Sequence, residues 1–360
     1  MCIAHPNTIK DKIEYLRNYS GRPLRLMEVC GTHTAGIFKS GIRSILPGTV
    51  RLISGPGCPV CVTSASYIDK CVEIACTPGF ALVSFGDMLK VPGSEDADGM
   101  PVSMDRAKGF GARVELVYSP FDALDMAGRE PETRFVVAAV GFETTAPAYA
   151  LLMDEAESRG ITNISLLTSL KSAIPAIEWV CDSSSVDGFL CPGHVSVITG
   201  SIAYEPLAGK YGKPFVVAGF EGSHLVDAIC ELVSMAAREG SAVVNRYTEA
   251  VTEEGNARAR AIVDRYFERG EAVWRGLGPL ADSGLYLRPR YSGFDAGSRG
   301  LVQSAPAPKG CLCTDVITGR IDPPECPAFG SSCTPDNARG PCMASAEGAC
   351  GIWHANGGLR

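Results

Sequence analysis

The stretch LRLMEVCGTHTAG, residues 24–36, decides the fold class. An apolar strand-like run enters a short polar turn and leaves it as a helical run. Seven more short runs follow: VRLIS (50–54), ALVSF (81–85), VELVY (114–118), RFVVAAV (134–140), ISLLTSL (164–170), GFLC (188–191) and PFVVAGF (214–220). They are β-branched, apolar on both faces and separated by helical segments, the pattern of parallel strands covered on both sides. The expected class is α/β, with two similar parallel-sheet domains of four consecutive strands each, residues 24–122 and 123–223. VCGTHTAG (29–36) and VGFETTAP (140–147) share Val, Thr and Ala at an offset of 111 residues, an echo that duplication or chance explains equally.

Outside these runs the pattern changes. An amphipathic helix is expected near residues 7–19. LVDAICELVSMAARE and VVNRYTEAVTEEGNARARAIVDRYFER read as helices, the second interrupted near Gly255. A loop-rich segment with Gly and Pro follows, and residues 224–360 read as a helical, cysteine-rich unit.

Composition narrows the function. Charged residues are 20% and the net charge is −7, which argues against a nucleic-acid or acidic-membrane binder. No apolar run approaches the roughly 18 residues of a membrane helix. The start MCIAHPNTIKDKIEYL lacks a signal peptide's apolar core, so a cytoplasmic chain is expected. Fifteen cysteines are then the anomaly. In a reducing compartment they point to metal, iron–sulfur or thiol redox chemistry rather than a disulfide framework.

Six of them, Cys311, Cys313, Cys326, Cys333, Cys342 and Cys350, fall in a Pro-, Gly- and Ser-rich tail. No pair of close Cys-x-x-Cys knuckles is present for a zinc ribbon. Widely spaced thiolates suit a cubane cluster with four Cys corners, against zinc, disulfides or spectators as alternatives. Cys311 and Cys313 are one residue apart, so one of them joins Cys326, Cys333 and Cys350 or Cys342, and two thiols remain as a candidate redox pair.

Other thiols lie on the α/β part. Cys58 and Cys61 form Cys-Pro-Val-Cys after a strand and the turn GPG, ahead of a helix capped by Thr63 or Ser64. That position favours a thiolate redox pair, against a turn holding two buried cysteines. Cys30 ends the first strand, at the carboxyl edge where open α/β sheets place their sites. Beside it are His33, Thr32 and Thr34. Cys30 is a candidate soft-metal ligand, against a core residue or a Cys–His nucleophile. Glu143 and Thr144 end another strand, with Thr145 as the helix cap, and His194 ends a third. These strand ends are expected to face Cys30 across a cleft, although Glu143 alone would read as a capping carboxylate. Cys71 and Cys76 read as core or edge residues, and Cys2, Cys181 and Cys230 as spectators. His224 stays undecided between local structure and site.

Together, MEVCGTHT (27–34), SGPGCPVCVT (54–63), SFGDMLKVPGS (84–94), VGFETTAP, PGHVSVITG (192–200), WRGLGPLADSGLYL (274–287) and the tail (310–350) resemble, in order, the blocks of the HypD family of hydrogenase maturation factors. CGTHT stands where the family's commoner form is CGGHT. The resemblance implies a scaffold that pairs with a small chaperone of the HypC type. It holds at Cys30 an iron carrying cyanide and carbon monoxide, the Fe(CN)2CO group of NiFe-hydrogenases. A HypE-type protein supplies the cyanide, and the hydrogenase large subunit receives the group. It further implies a 4Fe–4S cluster in the C-terminal part, whose unit also takes in the N-terminal helix (1–23). Matched to the family's spacings of fourteen, six and sixteen residues, the ligands are Cys311, Cys326, Cys333 and Cys350. Cys313 and Cys342 are left free to form a disulfide, with Cys313 in place of Cys311 as the alternative ligand. From a different class, a stand-alone iron–sulfur thiol–disulfide oxidoreductase reads the same cysteines as a catalytic relay, and independent turnover is left open.

Overall fold

Each predicted run becomes a strand, and all but the edge run VELVY, whose Leu116 and Tyr118 are exposed, bury most of their residues. The computed structural model describes residues 8–95, 102–301 and 310–357. The strands are β1 Leu24–Glu28, β2 Val50–Ser54, β3 Phe80–Ser84, β4 Val114–Leu116, β5 Arg134–Gly141, β6 Ile164–Lys171, β7 Gly188–Pro192, β8 Phe215–Ala218, β9 Val243–Asn245, β10 Phe267–Trp274 and β11 Gly278–Leu287. The fold is α/β with two sheets. One is ordered β2-β1-β7-β8-β9 and is parallel throughout. The other is ordered β10-β11-β6-β5-β3-β4 and is parallel except for the β10–β11 hairpin and its junction with β6.

The strands do not fall into two consecutive groups of four. The chain lays down β1 and β2 in the first sheet and crosses to the second for β3 to β6. It then returns for β7 to β9 and crosses again for β10 and β11. A short strand buried on both faces carries no mark of the sheet it will join, so order along the chain misassigned β3, β4, β7 and β8.

Two further expectations are corrected after residue 242. Val243–Asn245 is a strand rather than helix, and the helix is confined to Ala257–Tyr266. The segment read as loop is the β10–β11 hairpin, turned at Gly276 and Gly278, each with φ +87°. That left-handed backbone is open to glycine at little cost.

Both faces of each sheet are covered, as expected. Leu26, Leu52, Leu190 and Val216 pack on one face of the first sheet beneath the helix Gly222–Ala237, and Met27, Ile53, Phe189 and Val217 pack on the other. The helix Ile9–Arg17 buries Leu16 in the first of these layers, and its Lys12 pairs with Asp227. The N-terminal helix therefore does touch the 224–360 segment, but at Gly222–Ala237 rather than at the cysteine tail. The tail bridges the sheets: Cys326, Cys333, Cys342 and Cys350 share a core with Leu82, Val136, Leu167, Cys58 and Cys61, while Gly319 lies against Met27 and Ile53 of the first sheet. The residues expected to make one C-terminal unit are thus divided between the sheets. Cys2 lies outside the described residues. Among the described residues, no helix is long and apolar enough to cross a membrane.

Candidate functional site

Strand β1 delivers Cys30 to the N-cap position of the helix Gly31–Lys39, with extended backbone and no capping bond from its side chain. The thiol is therefore not used as a helix cap. Burial pushes it up from its ordinary pKa, and the charge of Glu347 adds to that. Hydrogen bonds from Thr32 and the His33 backbone act the other way. Cys30 is therefore protonated at neutral pH, and a metal bound to it would displace that proton.

Three segments close around it. The turn Gly55–Gly57 lies along the end of β1, with Gly55 N donating to Glu28 O at 2.9 Å. A side chain at Gly57 would stand 2.6 Å from Cys30 N, so only glycine lets the next residue, Cys58, approach so near. On another side the backbone of Glu347 packs against Gly31. Beyond it Trp353 meets Phe38 edge-on at 4.9 Å, and Arg43 stacks over both rings while pairing with buried Glu28.

Cys58 and Cys61 are joined as a disulfide, with Cα atoms 5.2 Å apart. Both are buried, at 5% and 2% exposure. Of the two expected caps, Ser64 does the capping, accepting from Tyr67 N at 3.3 Å. Thr63 instead donates to Pro59 O at 2.9 Å. The helix begins at Ala65, so the cysteine pair sits in the preceding turn rather than at the helix terminus itself. The tail covers the disulfide: Ser345 Oγ lies 3.5 Å from Cys58 Sγ, and Pro341 O lies 3.9 Å from Cys61 Sγ.

The six tail thiols converge. Cys311 and Cys313 place their sulfurs 3.0 Å apart, and Cys313 also hydrogen-bonds Cys342. The anticipated Cys313–Cys342 disulfide is not formed, since both are free thiols. Cys311 is pushed up first by its bond to Cys313 and then by burial. Cys350 is pushed up by burial and then by Cys313, Cys311, Cys333 and Cys326. Among the described residues, no three His, Cys, Asp or Glu side chains are grouped to hold a metal ion. A four-iron cluster asks for a different arrangement, four thiolates spread over its corners. A convergent, largely buried set of six thiols is compatible with that donor demand.

The histidines stand on the other flank. His33 is fully buried, with Nε2 3.2 Å from Ala218 O and Nδ1 without a partner. Burial lowers its pKa to about 4, so it is neutral at physiological pH. Its ring lies 4.8 Å from Phe220, whose ring is also stacked with exposed His194 at 4.0 Å. Phe220 thus stands against both His33 and His194. His224 stands 5.8 Å from Tyr247 and 3.3 Å from Glu249, beyond Phe220.

Glu143 is a cap, but of another helix. Its Oε1 accepts from Ser172 Oγ at 2.6 Å and Ala173 N at 2.9 Å, at the start of the helix Ala173–Ser183. Its Oε2 is buried without a partner, and burial raises its pKa. The buried Tyr204 phenol, 3.0 Å from Ser196 Oγ, is pushed up chiefly by burial, with smaller contributions from Cys191, Glu143 and Cys30. Thr144 is exposed, and Thr145 occupies the N-cap position without a capping bond from its side chain. Cys71 is buried core and Cys76 is exposed, while Cys181 and Cys230 are buried away from the tail set.

A family model named HypD, described as "Hydrogenase formation hypA family", matches residues 6–357. The chain belongs to the HypD family. It is 41% identical over 349 residues to a hydrogenase maturation factor HypD of Azotobacter vinelandii, covering 94% of this chain and 91% of the relative. To the HypD of Escherichia coli (strain K12) it is 40% identical over 361 residues, 97% and 95% of the two chains. To that of Rhodobacter capsulatus it is 39% identical over 351 residues, 94% and 91%.

Sequence reasoning passed over several residues of this HypD-family site. Glu347 lies in the tail and Arg275 in WRGLGPLADSGLYL, yet neither shows by spacing that it will lie beside residues far away in the chain. Tyr204 and Phe220 carry no local signal beyond being aromatic.

Proposed function

We propose that this member of a hydrogenase-maturation family is the scaffold on which the iron of NiFe-hydrogenases receives cyanide and carbon monoxide. Cys30 holds the iron, shared with a small HypC-type chaperone. A HypE-type protein delivers cyanide, and the hydrogenase large subunit takes the finished Fe(CN)2CO group. One observation carries the reading: Cys30, the Cys58–Cys61 disulfide and the six tail thiols are contiguous, through Gly57 on one side and Ser345 and Glu347 on the other.

The roles follow from that contiguity. His33, neutral and buried, orients the turn that presents Cys30. Glu143, Thr144 and His194 line the approach for the partner and for the ligands on the iron. Cys311, Cys326, Cys333 and Cys350 hold a 4Fe–4S cluster, with Cys313 as the alternative to Cys311. When bound, that cluster supplies one-electron transfer. The Cys58–Cys61 pair, covered by the tail, stores two electrons as a dithiol and keeps the site reducing.

The alternative, a stand-alone thiol–disulfide oxidoreductase, needs its disulfide open to a protein substrate. Burial of both Cys58 and Cys61 speaks against it. The test is infrared spectroscopy of the protein purified anaerobically with its chaperone partner. Cyanide and carbonyl bands are expected in the wild type and absent from Cys30→Ala, which keeps its fold and its cluster iron. Bands retained in Cys30→Ala overturn the ligand assignment. Disulfide turnover without any partner overturns the scaffold.

A further inference from the structure

Among the described residues, no carboxylate pairs with the buried cation Arg275. It is 9% exposed and begins the turn between β10 and β11. Its position is pinned from two sides: its backbone N donates to Val62 O at 2.8 Å, one residue after Cys61, and Nη2 donates to Pro92 O at 2.6 Å. The other terminal nitrogen, Nη1, is buried with no hydrogen-bond partner among the described residues. Such a group is costly unless something anionic is placed against it.

The surroundings name that something. Burial acts first on Arg275 and lowers its pKa; Cys313, Cys342 and Cys311, once ionised, and then Asp69 are the groups that counter it. Asp69 is already engaged, accepting from Ser94 N at 2.8 Å and Ser94 Oγ at 2.6 Å. The neighbouring Gly276 lies against the tail: a side chain there would stand 2.9 Å from Thr314 Oγ1 and 3.3 Å from Thr314 Cα, next to Cys313. The hairpin turn thus carries a fixed positive charge into the tail thiols, from a backbone tied to the disulfide loop.

We propose that Arg275 is the counter-charge of the tail thiol set, a positioning residue whose uncommitted Nη1 serves cluster-bound thiolate and which raises the reduction potential of the cluster. The inference rests on the cluster assignment made above. A cluster held by thiolates is anionic and gains a further negative charge on reduction, so a buried cation beside it favours the reduced state. Net charge and hydrogen bonds to the sulfurs are the levers by which a protein sets such potentials. The tie to Val62 makes this charge sensitive to the disulfide loop, which no surface lysine would be.

The experiment is a redox titration with dithionite as electron donor, followed by electron paramagnetic resonance, on full-length protein reconstituted with iron and sulfide. Arg275→Gln keeps a donor for Pro92 and removes the charge. It is expected to load the cluster and to shift its potential negative by at least a tenfold change in the oxidised-to-reduced ratio, about 59 mV for one electron. Arg275→Lys is expected to fall between it and the wild type. A loaded Arg275→Gln with unchanged potential overturns the proposal. If Arg275→Gln fails to load, retention of the cluster by Arg275→Lys supports the counter-charge, and loss in both variants marks a purely structural role and overturns it. A wild type that takes up no cluster overturns the cluster assignment instead.

Discussion

The carbonyl oxygen of Glu347 occupies the space that a side chain on Gly31 would need. This contact seats the tail beside Cys30, and Gly31 is what allows it. Gly31→Ala should therefore lift the tail off the first sheet at a cost of about 1–3 kcal/mol, as for other overpacked contacts. Hydrogen exchange should quicken in residues 341–355 and stay unchanged in β1 and β7. Equal exchange throughout would show that the tail is held elsewhere.

The Cys58–Cys61 disulfide is shielded by Ser345 and Pro341. Alkylation of the folded, unreduced protein should leave both sulfurs unmodified. After mild reduction, two additional thiols should react, mapped to Cys58 and Cys61 by mass spectrometry. Alkylation of either before reduction would mean that the pair is a dithiol in solution.

His33 makes stability depend on pH in a window set by its depressed pKa. The unfolded chain takes up this proton as pH falls below about 6.5, whereas the folded chain resists until about 4. Between those values the unfolded state binds more protons, so folding stability falls with falling pH, by on the order of 3 kcal/mol in full. Below about 4 both states are protonated and this contribution is gone. Urea unfolding of wild type and His33→Gln at pH 7, 5.5 and 4.5 measures it, and the variant should show the shallower slope. Parallel curves would mean that His33 titrates normally.

Glu143 separates cap from function. Its Oε1 accepts both capping bonds, so Glu143→Gln, which keeps a side-chain acceptor, should match the wild type in thermal stability. Glu143→Ala should lose about 1 kcal/mol, the usual worth of a cap. Hydrogenase activity in a host lacking its own copy of this gene is the second readout. A defect shared by Gln and Ala assigns the charge a role at the cleft, and full activity of Glu143→Gln leaves Glu143 a cap alone.

Much of this was legible in residue order. The eight strand runs, the arrival of Cys30, Glu143 and His194 at strand ends, and the Ser64 cap are local facts, readable within a dozen residues because side-chain periodicity and capping chemistry act over that range. The β10–β11 hairpin was hidden because its glycines look like loop until the left-handed φ of Gly276 and Gly278 is known.

By itself the sequence determined the α/β class, the burial of the strands and the clustering of cysteines in the tail, since each is written in the spacing of neighbours. Only the tertiary structure decided which sheet each strand entered and where the tail came to rest. It also decided that Arg275 and Glu347 would lie beside residues far away in the chain. Those contacts depend on three passages of the chain between sheets, and strands apolar on both faces pair equally well with many partners. The choice among them is made by packing of the whole molecule, for which no local stretch carries a signature.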